Sequence, residues 1–156
     1  MVRYAKKEDL DRVNDLRKMV NELHVQGRPD IFKPGFGEEL QAQAAEYLDK
    51  ENNALLVCER DGRITGFAMV DYVEKPENAY NLARSFYRVA EIGVDPEARR
   101  QGVATEMMEF MKQEAKGRGF DRIELDMWEF NDALKFYEAI GFRTYRRYMD
   151  YVFEEA

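Results

Sequence analysis

The chain predicts an α/β (α+β) domain in which one mixed sheet of about seven strands is flanked by about four helices. Three observations carry this. Apolar residues recur at helical spacing in some segments and alternate in others, with glycine, proline or Asp-Gly between them. The segments follow the order strand, two helices, three strands, helix, strand, helix, strand, which suits neither an all-helical nor an all-β architecture. The chain has 156 residues, 45% apolar and 13% aromatic, enough for one core. No linker, repeat or low-complexity tract divides it, so residues 1–156 read as a single domain.

Val2 to Ala5 predicts a short first strand. Leu10, Val13, Leu16, Val20 and Leu23 then recur every three or four residues, a helix that Gly27 and Pro29 break. Ile31 to Gly37 is a loop bearing Phe32 and Phe36, and Glu38 to Lys50 a weaker helix. Asn52 to Val73 holds two strands joined at Arg60-Asp61-Gly62-Arg63, because Asp-Gly favours a two-residue hairpin turn. A polar loop with Pro76 precedes the strand Ser85 to Val94. Gln101 to Lys116 is the longest helix, with Val103, Met107, Phe110 and Met111 on its buried face and Gly117-Arg118-Gly119 at its end. Arg122 to Trp128 reads as a strand, Asp132 to Ile140 as a helix closed by Gly141, and Phe142 to Phe153 as one long strand or a hairpin.

The net charge of −7 argues against a general affinity for nucleic acid. The single cysteine, Cys58, precludes an internal disulfide and sits in the buried-strand pattern Ala54-Leu55-Leu56-Val57-Cys58, so it reads as core. With one histidine, His24, and no Cys/His cluster, a metal site has no support. The charged N-terminal residues lead into no apolar run, and nothing approaches the ~20 apolar residues that span a bilayer. The expectation is a cytoplasmic protein without membrane partners.

Chemistry concentrates in Val94-Asp95-Pro96-Glu97-Ala98-Arg99-Arg100-Gln101-Gly102-Val103-Ala104-Thr105. A strand runs into a turn with two arginines, which opens directly into a helix with slim first residues. A helix start leaves backbone N–H groups without intrahelical partners and carries roughly +0.5 of an elementary charge. Slim residues let a phosphorylated ligand approach those groups, and the arginines add forked donors. The segment reads as a pyrophosphate cradle. It lacks the Gly-Lys-Ser/Thr of a P-loop and the three spaced glycines of a dinucleotide fingerprint. Its pattern, Arg/Gln-x-x-Gly-x-Gly/Ala, resembles the coenzyme A pyrophosphate loop of the GNAT superfamily of N-acetyltransferases.

Trp128 through Phe142 strengthens the resemblance. It is similar to the superfamily's C-terminal motif, Asn-x-x-Ala-hydrophobic-x-x-Tyr-x-x-x-Gly-Phe, at Ala133, Leu134, Phe136, Tyr137, Gly141 and Phe142. Asn131 stands one residue too close to Ala133 for that pattern and makes sense instead as a helix N-cap. The element order also matches the superfamily, so the likeness covers essentially the whole chain and implies a mostly antiparallel sheet.

The resemblance implies an enzyme that moves the acetyl group of acetyl-CoA directly onto an amine. Main-chain groups of Ile92 and Val94 would pair with the pantetheine arm. Arg99, Arg100 and the amides of Gln101, Gly102, Val103, Ala104 and Thr105 would hold the pyrophosphate. Tyr137 would donate to the departing thiolate, although a tyrosine packed in the core with its hydroxyl bonded elsewhere fits the same letters.

A primary amine of pKa ≈ 10.4 is almost wholly protonated at neutrality, a handicap of about 4–5 kcal/mol that a base must offset. Glu91 is the acid best placed for it, with Asp126 and Glu129 as lesser candidates. Simple alternation puts Glu91 with Val89 and Gly93, unless Gly93 marks a bulge. Glu91 could equally pair with Arg88 or Arg122, or only steer an ammonium. The acceptor site would lie around His24, Arg28, Asp30, Phe32 and Phe36, with the loop before Tyr80. A small amine or a peptide amine are both open as acceptor. The final tyrosines, Tyr145, Tyr148 and Tyr151, could pack across a homodimer. The alternative is a non-catalytic acyl-CoA-binding module of the same fold.

Overall fold

The computed structural model describes residues 1–48 and 51–154. They fall into two compact units, Met1–Asp126 and Met127–Ala156.

The first unit is built on a sheet of five strands in the order β1-β2-β3-β4-β5: β1 (Val2–Tyr4), β2 (Asn53–Arg60), β3 (Arg63–Lys75), β4 (Arg84–Val94) and β5 (Ile123–Glu124). The first four run antiparallel and β5 runs parallel to β4. The β2–β3 turn is the expected two-residue hairpin, with Asp61 and Gly62 at φ +51° and +74°. Helix α1 (Leu10–Gly27) and α2 (Glu38–Ala45) cover one face of the sheet, and α3 (Val103–Gly117) covers the other. Asp49 and Lys50, expected at the end of the second helix, lie outside the described residues.

On the α1 face, Val13, Leu16 and Ala44 pack with Leu55, Val57, Phe67 and Met69. On the α3 face, Val103, Met107 and Met111 are buried as their helical spacing predicts, while Phe110 is half-buried and meets the Tyr4 ring edge-on. Gly66 lets α3 approach: an added Cβ would lie 2.9 Å from both Val103 and Met107. Cys58 is buried on this side, as core. One residue of the α1 pattern is misplaced. Leu23 is exposed, and the buried stripe instead contains Arg17.

The end of α3 follows its glycine. Gly119 takes φ +85°, and the amides of Gly119 and Phe120 donate to the carbonyls of Lys116 and Ala115 at 3.0 and 2.9 Å. In the second unit, α4 (Leu134–Ala139) closes the same way at Gly141, where Phe142 N–H donates to Tyr137 C=O at 2.9 Å.

Two expected strands differ: one is shortened, and the absence of the other, read as a strand or hairpin, leaves five strands among the described residues rather than about seven. The strand at Arg122 to Trp128 shrinks to Ile123–Glu124, because β4 offers it only Tyr87 and Arg88 as partners. Residues 142–154 form no strand or hairpin. Their strand-like letters lack a ladder partner among the described residues, and propensity without one does not make a strand. Tyr148 is 97% exposed there.

Candidate active site

The site begins with an irregularity in β4. Val70 pairs with Val89 but Met69 pairs with Glu91, so Ala90 is an extra residue. The bulge is therefore at Ala90, not Gly93, and it reverses the side-chain alternation. Val89 stays on the α3 face with Tyr87, whereas Glu91 moves to the α1 face, level with Met69. The expected grouping of Glu91 with Val89 is thus corrected, and that with Gly93 holds.

On that face Glu91 meets Arg17, not Arg88 or Arg122. Arg17 Nε donates to the two carboxylate oxygens at 3.2 and 3.4 Å. Arg88 instead lies 3.9 Å from Asp71, and Arg122 is 3.1 Å from Glu124. Burial pushes the Glu91 carboxyl above its ordinary value, against the opposing charge and hydrogen bonds of Arg17. A cavity of about 320 Å³ opens beside it, lined by Gln43, Glu46, Tyr47, Met69, Ala90 and Glu91. Tyr47 is pushed up to about 12, first by burial and then by the charge of Asp71.

The second feature is the outer edge of β4. Asp95 N–H donates to Thr65 C=O, so in this antiparallel pair Gly93 and Glu91 also point their main-chain groups toward β3. Ile92 and Val94 alternate with them and turn their N–H and C=O groups outward. Among the described residues no strand pairs with β4 beyond Arg88 on that side.

The strand then passes into the cradle. Asp95 accepts from Glu97 N–H at 3.0 Å, binds Arg63 at 3.1 Å and is hydrogen-bonded by Arg12. The Glu97 amide, followed by these cations, holds its carboxyl below the usual range. After the short turn Pro96–Ala98 come Arg99, Arg100, Gln101 and Gly102, all exposed. Among the described residues neither Arg99 nor Arg100 has an ion-pair partner. Gly102 takes φ +78°, and a Cβ there would meet nothing within 4 Å. Val103 is buried, Ala104 half-buried and Thr105 exposed. Arg60, at the end of β2, braces the loop by donating to Gln101 C=O at 2.6 Å and to Glu106 at 2.8 Å. The open approach to the helix start, two unpaired guanidiniums and an outward main-chain edge suit a diphosphate joined to an amide-bearing arm, which is the chemistry of coenzyme A.

His24 stacks on Phe32 at 5.0 Å, and burial holds its imidazole below the ordinary value. Arg28 forks onto Asp30 at 2.9 and 2.8 Å, so these residues do gather at the end of α1. In the second unit Tyr137 is buried between Phe136 and Phe142, and burial raises its phenol pKa. Asn131 accepts from Ala133 N–H at 2.9 Å in the turn ahead of α4, but Ala133 itself holds the N-cap position, so the cap expected at Asn131 lies two residues too early.

A family model for the acetyltransferase (GNAT) family matches residues 17–142. The chain belongs to that family. It is similar to BH1408 of Bacillus halodurans, whose mutant crystal structure superposes with a TM-score of 0.93 at 26% identity over 99% of both chains. Acetyltransferase ECA0875 of Pectobacterium atrosepticum is 28% identical over 75% of each chain. The uncharacterized N-acetyltransferase MJ1207 of Methanocaldococcus jannaschii is 31% identical over 61% of this chain, which spans only 41% of that relative. The aminoglycoside N-acetyltransferase AAC(6')-Iy, solved with CoA, shares the fold at 21% identity and a TM-score of 0.73. Among the described residues no helix is long and apolar enough to cross a membrane, and no group of side chains could hold a metal.

Arg17, Ala90 and Tyr47 were invisible to motif reading. One signal existed for Arg17: it is a charge set within the helical stripe of Leu10, Val13 and Val20.

Proposed function

We propose that this acetyltransferase transfers its acetyl group directly to the nitrogen of a small amine or a peptide amine. The observation that carries the reading is one covalent run, Ile92 to Thr105, in which an outward main-chain edge leads into an open helix start. Acetyl-CoA supplies an activated thioester, from which the amine nitrogen takes the acetyl group and the sulfur leaves as thiolate.

The chain's residues take five roles. Ile92 and Val94 hold the arm of the cofactor as an added strand would, and an outward N–H near Val94 is available to a developing oxyanion. Arg99, Arg100 and the amides of Gln101 to Thr105 hold the diphosphate. Glu91 receives the proton of the acceptor ammonium, directly or through water; its raised pKa brings it nearer the amine it must deprotonate. Tyr137, a neutral phenol whose pKa burial raises further, donates to the departing sulfur, a role taken from the motif it stands in. His24, Arg28, Asp30 and Phe32 frame the acceptor.

The test is CoA release and CoA binding with a panel of polyamines, peptides and aminoglycosides. Transfer to at least one amine is expected. Calorimetric binding of CoA without transfer to any would favour a binding module, and no binding would end the reading.

A further inference from the structure

Arg17 lies on the buried stripe of α1, with 3% of its side chain exposed. Enclosing a guanidinium is costly, and an apolar side chain of similar length would fill the space. The hydrogen bonds show what the charge does there. Nε reaches Glu91, Nη1 reaches Asn14 Oδ1 at 3.2 Å and Leu40 C=O at 2.5 Å, and Nη2 reaches Gln43 Oε1 at 3.0 Å. The Phe36 ring lies 5.3 Å from the guanidinium carbon. One planar fork thus joins α1, the α1–α2 connection, α2 and the bulged strand.

We propose that Arg17 is a positioning residue for acetyl transfer: it holds the Glu91 carboxylate in place and fastens the segment Phe36 to Gln43 beside it. The proposal rests on the assignment of Glu91 above. The charged and titratable groups facing Glu91 are few. Arg17 comes from α1, Glu46 and Tyr47 from the end of α2, and Asp71 and Arg88 form a pair on β3 and β4. Tyr47, at about 12, stays neutral across the working range. Arg17 is the cation that contacts the carboxylate, so its removal should be read directly in the titration of Glu91.

The experiment follows Glu91 by carboxyl carbon NMR in the full chain, with the Glu91→Gln spectrum identifying its resonance. Arg17→Met should raise the Glu91 midpoint by about one pH unit or more. Arg17→Lys, which keeps the charge, should move it by less. Turnover is measured with spermidine and tobramycin as probe amines at saturating acetyl-CoA. The acid limb of kcat should move with the NMR midpoint in Arg17→Met. Arg17→Lys should move that limb less, in step with its midpoint, yet raise the amine KM severalfold, because an ammonium cannot span Glu91, Leu40 and Gln43 together.

A folded Arg17→Met with both midpoint and limb unmoved overturns the proposal. If that variant does not fold, Arg17→Lys decides, and an unchanged amine KM overturns it. If Glu91→Gln keeps full turnover and its acid limb, the Glu91 assignment fails, and this proposal with it. If the wild type acetylates neither probe, that result bears on the amine reading, and the Glu91 midpoint alone decides about Arg17.

Discussion

Replacing Gly93 by alanine measures how closely α1 is fitted to the strand that carries the site. A Cβ at Gly93 would lie 2.7 Å from Val20 Cγ2 and 2.7 Å from Phe67 Cε1. Ordinary contact starts near 3.4 Å, so both neighbours must retreat by several tenths of an ångström. Neither can do so by a rotamer change. Val20 is β-branched on a helix and effectively confined to one χ1, and Phe67 is fully buried across the ladder from Gly93. Overpacking of this kind costs about 2 kcal/mol, or a Tm lower by about 4–8 °C at this chain length. Urea unfolding followed by circular dichroism would give the free energy, and a thermal scan the Tm. Removing one of the two obstructing side chains should relieve part of the cost. Gly93→Ala/Val20→Ala should therefore lose about 1 kcal/mol less than its two single changes added together. A Gly93→Ala protein within about 0.5 kcal/mol of wild type would refute the reasoning. It would mean that α1 yields freely, and that the seating of Arg17 on Glu91 is not fixed by packing.

Gly102→Val should cost about 1 kcal/mol of stability, since φ +78° strains any L side chain while the space beside it is open. The same change should weaken CoA binding at least about tenfold by calorimetry, because a side chain then stands over the first amides of α3. Tyr137→Phe should lower kcat with little change in CoA affinity, and an unchanged kcat where chemistry limits turnover would remove its assigned role. Asp95 has a depressed pKa in the folded chain, so the stability it confers is complete above the unfolded value and fades as pH falls through the folded one. The stability gap between wild type and Asp95→Asn should therefore close below about pH 4, measured by urea unfolding across pH.

Local chemistry decided what was legible in the letters. Asp61-Gly62 could be read as a hairpin because that turn demands positive φ twice, and few dipeptides supply it. Gly119 and Gly141 could be read as helix ends for the same reason. The open start of α3 was legible because main-chain amides are left free wherever a strand stops and a helix starts. The face that Glu91 occupies was not legible, since a bulge at an ordinary Ala90 leaves no mark in the composition. Arg17 was missed because its distant partners come from two other elements, and a charge within an apolar stripe looks like noise in one dimension. The segment from Phe142 to Phe153 misled for the opposite reason. It is rich in Tyr, Phe and Val, which favour strands, but a strand is a property of a pair.

The bulge at Ala90 links these observations physically. Without it, Glu91 would share the face of Val89 and Tyr87, under α3, where an ionised carboxylate would be sealed in the core. One added residue moves it to the side where Arg17 can meet it and a cavity can reach it. The same insertion comes immediately before Ile92 and Val94, whose main-chain groups face away from β3. An uncovered strand edge and an uncovered helix start are both rows of donors that a protein ordinarily caps or pairs. Here they are consecutive in the chain, and among the described residues no strand pairs with the one beyond Arg88 and no side chain caps the other. A ligand that satisfied both at once would bind the folded chain and not the unfolded one, so its affinity would appear directly as added stability.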